Sequence, residues 1–212
     1  MWNFTLPIRT TGKLLLNAVF ILATAAAHAA LDAPHDVSKG IGCLSCHDLA
    51  SAEPKHIPVM DHTPQAIDDT LFNNLCWSCH NDTVAPYVTT HSSLATDNSY
   101  GDWTAECWVC HNQHTQEQNR DHGSTYGKFI RSAVVLDHIT GAAKSGTRNV
   151  VFTGPTGPNS FADGDATVNG ICEICHTKTD HWQNDGSLAG VTEHKGLEGS
   201  NCVTCHPHSK GF

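Results

Sequence analysis

Apolar residues are concentrated at the N-terminus of the chain. A basic stretch precedes the apolar run 14–27, which ends in the small–x–small sequence Ala27-His28-Ala29. This order is typical of a secretory signal peptide, and the run is short for a membrane span. We therefore predict a signal peptide over residues 1–29 and an exported mature chain over 30–212. An uncleaved N-terminal anchor is the alternative.

One helix is predicted from the polar and apolar pattern beyond residue 30. Thr63 is a suitable N-cap and is followed by Pro64. Ile67, Leu71 and Leu75 then form an apolar stripe at helical spacing that leads into a cysteine pair. The rest of the chain has few such stripes, so we expect mostly irregular coil with short helices.

Two β-like runs lie in the longest stretch between cysteine pairs. They cover residues 128–131 and 148–152, and glycine-rich loops surround them. They predict a small β-hairpin insert within about 120–170. In the same stretch, Asp163-Gly-Asp165 with Asn169 supplies oxygen atoms for a cation, but it lacks the remaining ligands of a calcium loop. A plain turn is the favoured interpretation.

Composition and charge limit the classes of function. Apolar residues make up 39 % of the sequence, and the N-terminal segment holds a large share of them, so the mature chain is too poor in apolar side chains for an ordinary core. The formal net charge is −9. This acidic balance argues against binding to nucleic acid, and also against electrostatic binding to an anionic membrane surface.

All ten cysteines occur in five Cys-x-x-Cys-His frames, numbered 1 to 5 along the chain. The frames are Cys43-Leu-Ser-Cys46-His47, Cys76-Trp-Ser-Cys79-His80, Cys107-Trp-Val-Cys110-His111, Cys172-Glu-Ile-Cys175-His176 and Cys202-Val-Thr-Cys205-His206. This is the attachment motif for c-type haem. Its two thiols form thioethers with the vinyl groups of one porphyrin edge, and the adjacent histidine binds the iron as the proximal ligand.

Disulfides and structural zinc are the competing interpretations of these cysteines. Secreted chains use even numbers of cysteines for disulfides, and zinc sites combine paired Cys-x-x-Cys units. Neither explains a histidine after every second cysteine, and five is an odd number of zinc half-sites. We therefore predict five covalent c-type haems, whose flat faces supply the apolar surface that the side chains lack. The predicted fold is a single pentahaem cytochrome domain scaffolded around five stacked haems.

A second axial ligand is needed on the opposite side of each iron. A second histidine is typical of low-potential electron carriers, whereas methionine raises the potential, and the mature chain has Met60 alone. His56, His122 and His138 are the weaker distal candidates. Because a proximal histidine fixes the local chain on one side of its ring, a histidine two or three residues later can reach only a neighbouring haem. The favoured distal candidates are His35, His62, His91, His114, His181, His194 and His208.

Several stretches resemble known multihaem cytochromes. Leu75-Cys-Trp-Ser-Cys-His-Asn81, Cys107-Trp-Val-Cys-His-Asn-Gln-His114, Ser124-Thr-Tyr-Gly-Lys128 and Cys202-Val-Thr-Cys-His-Pro-His208 are similar to secreted multihaem c-type cytochromes of metal-reducing bacteria, in particular the filament-forming extracellular ones. The His-x7-Cys frame of His35 and of His194 resembles the small multihaem cytochromes of sulfate reducers, in which that histidine closes over the same haem.

These resemblances imply an electron conduit rather than an enzyme. The expected role is electron transfer through closely spaced bis-histidine haems, as a subunit of an extracellular filament. In such a filament His35, or else His208, would bind a haem in the next molecule. The expected partners are redox proteins or extracellular metal oxides. The alternatives are a monomeric periplasmic pentahaem shuttle to a reductase and, less favoured, a multihaem reductase, which would need an open iron position.

Overall fold

The computed structural model describes residues 31–47, 71–99, 101–118, 128–177, 197 and 199–211. Most of them are turns and irregular backbone, as the sparse periodicity predicts. Helix α1 spans Leu71–Trp77 and helix α2 spans Cys107–Cys110. The part of the predicted helix that begins at Thr63 lies outside the described residues.

Short 3₁₀ turns supply the remaining helical structure in the described residues. Two of them coincide with haem frames 1 and 5, and two others follow a strand directly. They span Val37–Lys39, Cys43–Ser45, Ser93–Thr96, Leu136–His138, Cys202–Thr204 and His208–Lys210. No helix within the described ranges is long and apolar enough to cross a membrane.

Two small antiparallel sheets complete the described structure. Strand β1, His91–Ser92, pairs with β2, Thr104–Ala105. Strand β3, Ala133–Val135, pairs with β4, Thr147–Asn149. The first of these sheets was not predicted from the sequence.

The predicted hairpin is present, but its first strand is displaced toward the C-terminus. The sequence pattern placed that strand at 128–131. Lys128 and Phe129 instead have positive φ values of 46° and 60°, which turn the chain out of an extended path. Ile130 forms only an isolated bridge to His111. Regular pairing therefore begins at Ala133, after this bend.

An apolar core lies between the β3–β4 hairpin and frames 3 and 4. The hairpin and the residues that flank it contribute most of the core's buried side chains, and each of the two frames contributes the residue that precedes its second cysteine. The buried members are Val109, Ile130, Val134, Leu136, Val150, Phe152 and Ile174. Within the described residues, frames 1 and 5 contain no buried residue in their helical turns.

Candidate functional site

The five haem frames share one backbone hydrogen bond. In every frame the histidine N–H donates to the carbonyl of the first cysteine, which closes a single helical turn. These N···O distances are 2.8 Å for His47, 2.9 Å for His80, 3.0 Å for His111, 2.8 Å for His176 and 2.9 Å for His206. Both cysteines and the histidine of a frame therefore project from one turn, as attachment to a single porphyrin requires.

The cysteines do not form the alternative sites considered above. All ten lie in the described part of the chain, and none forms a disulfide. Structural zinc needs four ligands in a tetrahedral cluster. Among the described residues, no group of three or more His, Cys, Asp or Glu side chains is arranged to hold a metal ion. The thiols therefore fit thioether attachment better than either alternative.

Frames that are consecutive in the sequence also have cysteines that lie near each other in space. Burial raises the pKa of the Cys46 thiol, and the neighbouring Cys76 of frame 2 raises it further. A hydrogen bond to Cys76 raises the pKa of Cys107 in frame 3. Burial raises the pKa of Cys110 to about 12, and Cys175 of frame 4 adds to the effect.

Frame 5 is next to frame 4 in the same way. A hydrogen bond to Cys202 raises the pKa of Cys172, and burial raises it further. The frames thus follow one another in space as 1-2-3-4-5. Because a thioether has no proton to lose, these thiol pKa shifts apply only before haem attachment, but their causes identify which frames are neighbours.

Four histidines from outside the frames face frame histidines at one recurrent spacing. Two imidazoles that bind one metal ion from opposite sides have ring centres about 6 Å apart, since each metal–nitrogen bond is about 2.0–2.1 Å and each centre lies about 1.1 Å behind its nitrogen. The separations between ring centres are 6.3 Å for His35 and His80, 5.9 Å for His114 and His47, 6.1 Å for His91 and His176, and 6.1 Å for His208 and His111.

These side chains fit a bis-histidine haem iron in their chemistry as well as their spacing. Each pair combines the histidine of a Cys-x-x-Cys-His frame with a second imidazole, which is the ligand set of low-potential c-type haems. Burial lowers the pKa of His208 to about 3 and that of His176 to about 4, with further lowering by nearby histidines. Both rings are therefore neutral at ordinary pH, and neutral imidazole is the form that binds metals.

Backbone carbonyls orient several of these rings. The Nδ1–H groups of His35 and His80 donate to the carbonyls of Gln113 and Pro86, each at 3.2 Å. A metal-binding histidine usually donates its other ring N–H in this way, which fixes the ring and leaves the second nitrogen for the metal. In the His35–His80 pair, both Nε2 atoms are therefore left for iron.

The same arrangement occurs at two further rings. The Nδ1–H of His91 donates to the carbonyl of Gly211 at 2.9 Å, and the Nδ1–H of His111 donates to the carbonyl of Lys128 at 2.9 Å. The sequence contains no signal for these carbonyls, because every residue carries one and the fold alone selects which of them is used.

Each of the four pairs joins segments that are distant in the sequence. His114 lies opposite His47 and His208 lies opposite His111, so both face a frame other than the one they follow. The ring opposite His35 is His80 of frame 2, whereas the resemblance to small cytochromes implied the haem of frame 1. This placement follows from the docking of the N-terminal segment, where the Asp32 N–H donates to the His114 carbonyl at 2.9 Å.

The remaining sequence candidates are not brought to a described site. His62, His181 and His194 lie outside the described residues, as do His56, His122 and Met60. The four pairs do not include His206, the histidine of frame 5. His138 is exposed and packs on Trp108, with ring centres 4.8 Å apart.

A buried asparagine connects frames 2 and 3, and sequence reasoning missed it. Asn73 in α1 is completely buried. Its Nδ2 donates to Thr90 Oγ1 at 2.8 Å, and its Oδ1 accepts from the Cys107 N–H at 2.9 Å. This side chain fixes the start of α2 against α1. An asparagine within a short helix gives no sequence signal for that role.

A buried carboxylate has a similar role in frame 4. Glu173 lies between the two cysteines of the frame and is completely buried. It accepts from the N–H groups of Gly164 and Gly170 at 2.8 and 3.1 Å. Burial raises the pKa of this carboxyl. Glu173 therefore holds the preceding loop against the haem frame.

The Asp163–Asp165 segment has the bonding of a turn. Asp163 accepts from the N–H groups of Asn159 and Asp165 at 2.7 and 3.1 Å, and Asp165 accepts from the Thr167 N–H at 2.7 Å. The carboxylates thus satisfy backbone donors of their own loop, in line with the favoured interpretation.

Comparison with protein families gives a match over part of the chain. Residues 34–122 match the family model described as Cytochrome c3, a stretch that includes frames 1 to 3 and the distal candidates His35, His62, His91 and His114. No curated protein and no solved structure gives a significant match. The mostly irregular fold is consistent with that family. Over this stretch the chain is similar to cytochrome c3, and the similarity supports a multihaem c-type cytochrome that transfers electrons.

Proposed function

We propose that this protein conducts electrons through five bis-histidine c-type haems, one attached to each frame. Bound haem supplies an iron that alternates between the ferric and ferrous states without bond chemistry. The cysteines of each frame hold the porphyrin edge, the frame histidine binds iron, and a histidine from another segment binds on the opposite side.

The observation that carries this proposal is the recurrent spacing of the histidine pairs. Four frame histidines each face a second imidazole at 5.9–6.3 Å between ring centres. Axial positions filled by protein leave no site for a substrate, which favours electron transfer over reductase chemistry. For frame 5 we propose that the second ligand is His62, His181 or His194.

The order of the frames supports a single electron path. Cysteines of adjacent frames are neighbours at every step from frame 1 to frame 5. Cys43 of frame 1 and Cys205 of frame 5 are exposed, whereas cysteines of the middle frames are more covered. Electrons would therefore enter and leave at the two end frames.

Both an extracellular filament and a periplasmic shuttle are compatible with such a path. We prefer the filament, with metal oxides or redox proteins as partners, because of the sequence resemblance. We also propose that the signal peptide directs export of the chain. His35 and His208 lie opposite histidines of their own chain, which argues against either as the bridge between subunits. Negative-stain electron microscopy of native secreted material separates the forms, since a polymer is visible directly.

The number of haems is tested by the intact mass of the denatured protein, because thioether attachment survives unfolding. We expect five haem increments in the native chain. The Cys43→Ala/Cys46→Ala variant should carry four, and Ser45→Ala, a substitution within the same frame that leaves both thiols, should carry five. Fewer than five increments in the native chain would contradict the proposal.

A further inference from the structure

The C-terminal segment, Pro207–Gly211, contacts two histidines of the proposed conduit. The Thr89 N–H donates to the His208 carbonyl at 3.0 Å, and the Thr89 hydroxyl donates to the same carbonyl at 3.3 Å. At the other end of the segment, the Gly211 carbonyl accepts from His91 Nδ1–H at 2.9 Å. The segment is thus bound along the stretch 89–91.

These two histidines serve different frames. The His208 ring faces His111 of frame 3, and the His91 ring faces His176 of frame 4, each with ring centres 6.1 Å apart. Frames 3 and 4 are neighbours, as the proximity of Cys110 and Cys175 shows. Residues 207–211 follow frame 5 in the sequence. They are nevertheless placed at the histidine pairs of frames 3 and 4, in the middle of the path.

The backbone of Gly211 suits this role. Its φ of 82° ends the 3₁₀ turn His208–Lys210 in the left-handed conformation. A Cβ added there would lie 3.2 Å from the Thr90 carbonyl oxygen and 3.3 Å from the Ala95 Cβ. A side chain at this position would thus require a shift of a few tenths of an ångström between the segment and its neighbours, which disturbs the carbonyl that holds His91.

We propose that the C-terminal segment is a positioning element shared by frames 3 and 4, in which His208 supplies the distal ligand of frame 3 and the Gly211 carbonyl sets the orientation and basicity of the distal ligand of frame 4. This inference rests on the proposed function. A carbonyl that accepts from a ligand's Nδ1–H increases the donor strength of the imidazole, which favours the ferric iron. Gly211 is therefore a positioning residue, and weakening its hydrogen bond raises the reduction potential at frame 4.

The first test is His208→Ala in the holoprotein, followed by electron paramagnetic resonance of the oxidised form. We expect one low-spin ferric signal to be replaced by one high-spin signal, while the remaining haems stay low-spin. Added imidazole should restore the low-spin signal, because it occupies the position of the lost ring. A variant that keeps every low-spin signal, or that imidazole fails to restore, would contradict the proposed ligand role.

The second test is Gly211→Ala, with Gly40→Ala as the matched control. Gly40 has a φ of 72° and ends the 3₁₀ turn Val37–Lys39 in the same way, but a Cβ there meets nothing within 4 Å. We expect Gly211→Ala to keep all haems low-spin and to raise the midpoint potential of one of them. Gly40→Ala should leave every potential unchanged. Equal behaviour of the two variants would overturn the role of the Gly211 carbonyl.

The outcomes separate this inference from the proposed function. Wild-type protein without bis-histidine low-spin haems would refute the proposed function itself. Wild-type protein with five low-spin haems, combined with unaltered spectra and potentials in both variants, would refute the C-terminal positioning element alone.

Discussion

Frames 1 and 3 have the same motif and the same hydrogen bond from the histidine N–H to the first cysteine carbonyl, but the chain packs around them differently. In frame 3, Val109 is only 2 % exposed and lies in the core with Val134 and Phe152. In frame 1, Leu44 is 68 % exposed, and its turn contains no buried residue. The polypeptide itself therefore packs around frame 3, whereas we expect the order of frame 1 to depend on haem attachment and on the contact between the N-terminal segment and residues 113–116.

This difference shows where a chain with few apolar residues places its buried side chains. The core is placed at the middle of the predicted electron path, around frames 3 and 4, where each frame contributes one buried apolar residue. If electrons enter and leave at the two end frames, as we propose, haem edges would have to be exposed there. Burial of side chains there would cover the surface through which electrons enter and leave.

The largest expected effect is the loss of a core side chain at frame 3. Phe152 is 2 % exposed, so Phe152→Ala should lower the free energy of unfolding of the holoprotein by about 3–5 kcal/mol. The matched change at frame 1, Leu44→Ala, should alter it by no more than about 0.5 kcal/mol. Chemical denaturation followed by circular dichroism measures both. Equal losses would show that the two frames are packed alike.

A smaller effect is expected at the connection between frames 2 and 3. Asn73→Ala leaves the Cys107 N–H and the Thr90 hydroxyl without their buried partner, and should cost about 1–3 kcal/mol. Asn74→Ala is the control on the same helix, because Asn74 Oδ1 makes no hydrogen bond to any part of the chain that the structure describes. If the two variants unfold at the same denaturant concentration, Asn73 does not join the frames.

The most local effect is expected at frame 1. In the Cys43→Ala/Cys46→Ala variant, amide hydrogen exchange should become fast over residues 36–47, since little but the haem orders this segment. Protection over 130–152 should stay unchanged, because this stretch is held by the buried side chains that it places in the polypeptide core. Loss of protection in both regions would mean that the frame 1 haem supports the whole structure.

The sequence is informative where chemistry acts within one turn and uninformative where it acts across the fold. Covalent attachment requires the Cys-x-x-Cys-His spacing, so the five frames could be identified directly. The partner of His35 could not, because it depends on how the N-terminal segment docks on residues 113–116. The hairpin was predicted from its β-like runs, but the left-handed backbone of Lys128 and Phe129 displaced its first strand. Asn73 and the carbonyls that orient the histidines are selected by tertiary contacts alone.

Electron paramagnetic resonance of the fully oxidised wild-type protein tests the central claim most directly. If every frame holds its iron between two imidazoles, the spectrum contains low-spin ferric signals that integrate to five haems, with no high-spin signal. A high-spin signal equivalent to one iron or more would contradict the claim, because it would reveal an open axial position at which a ligand or substrate could bind.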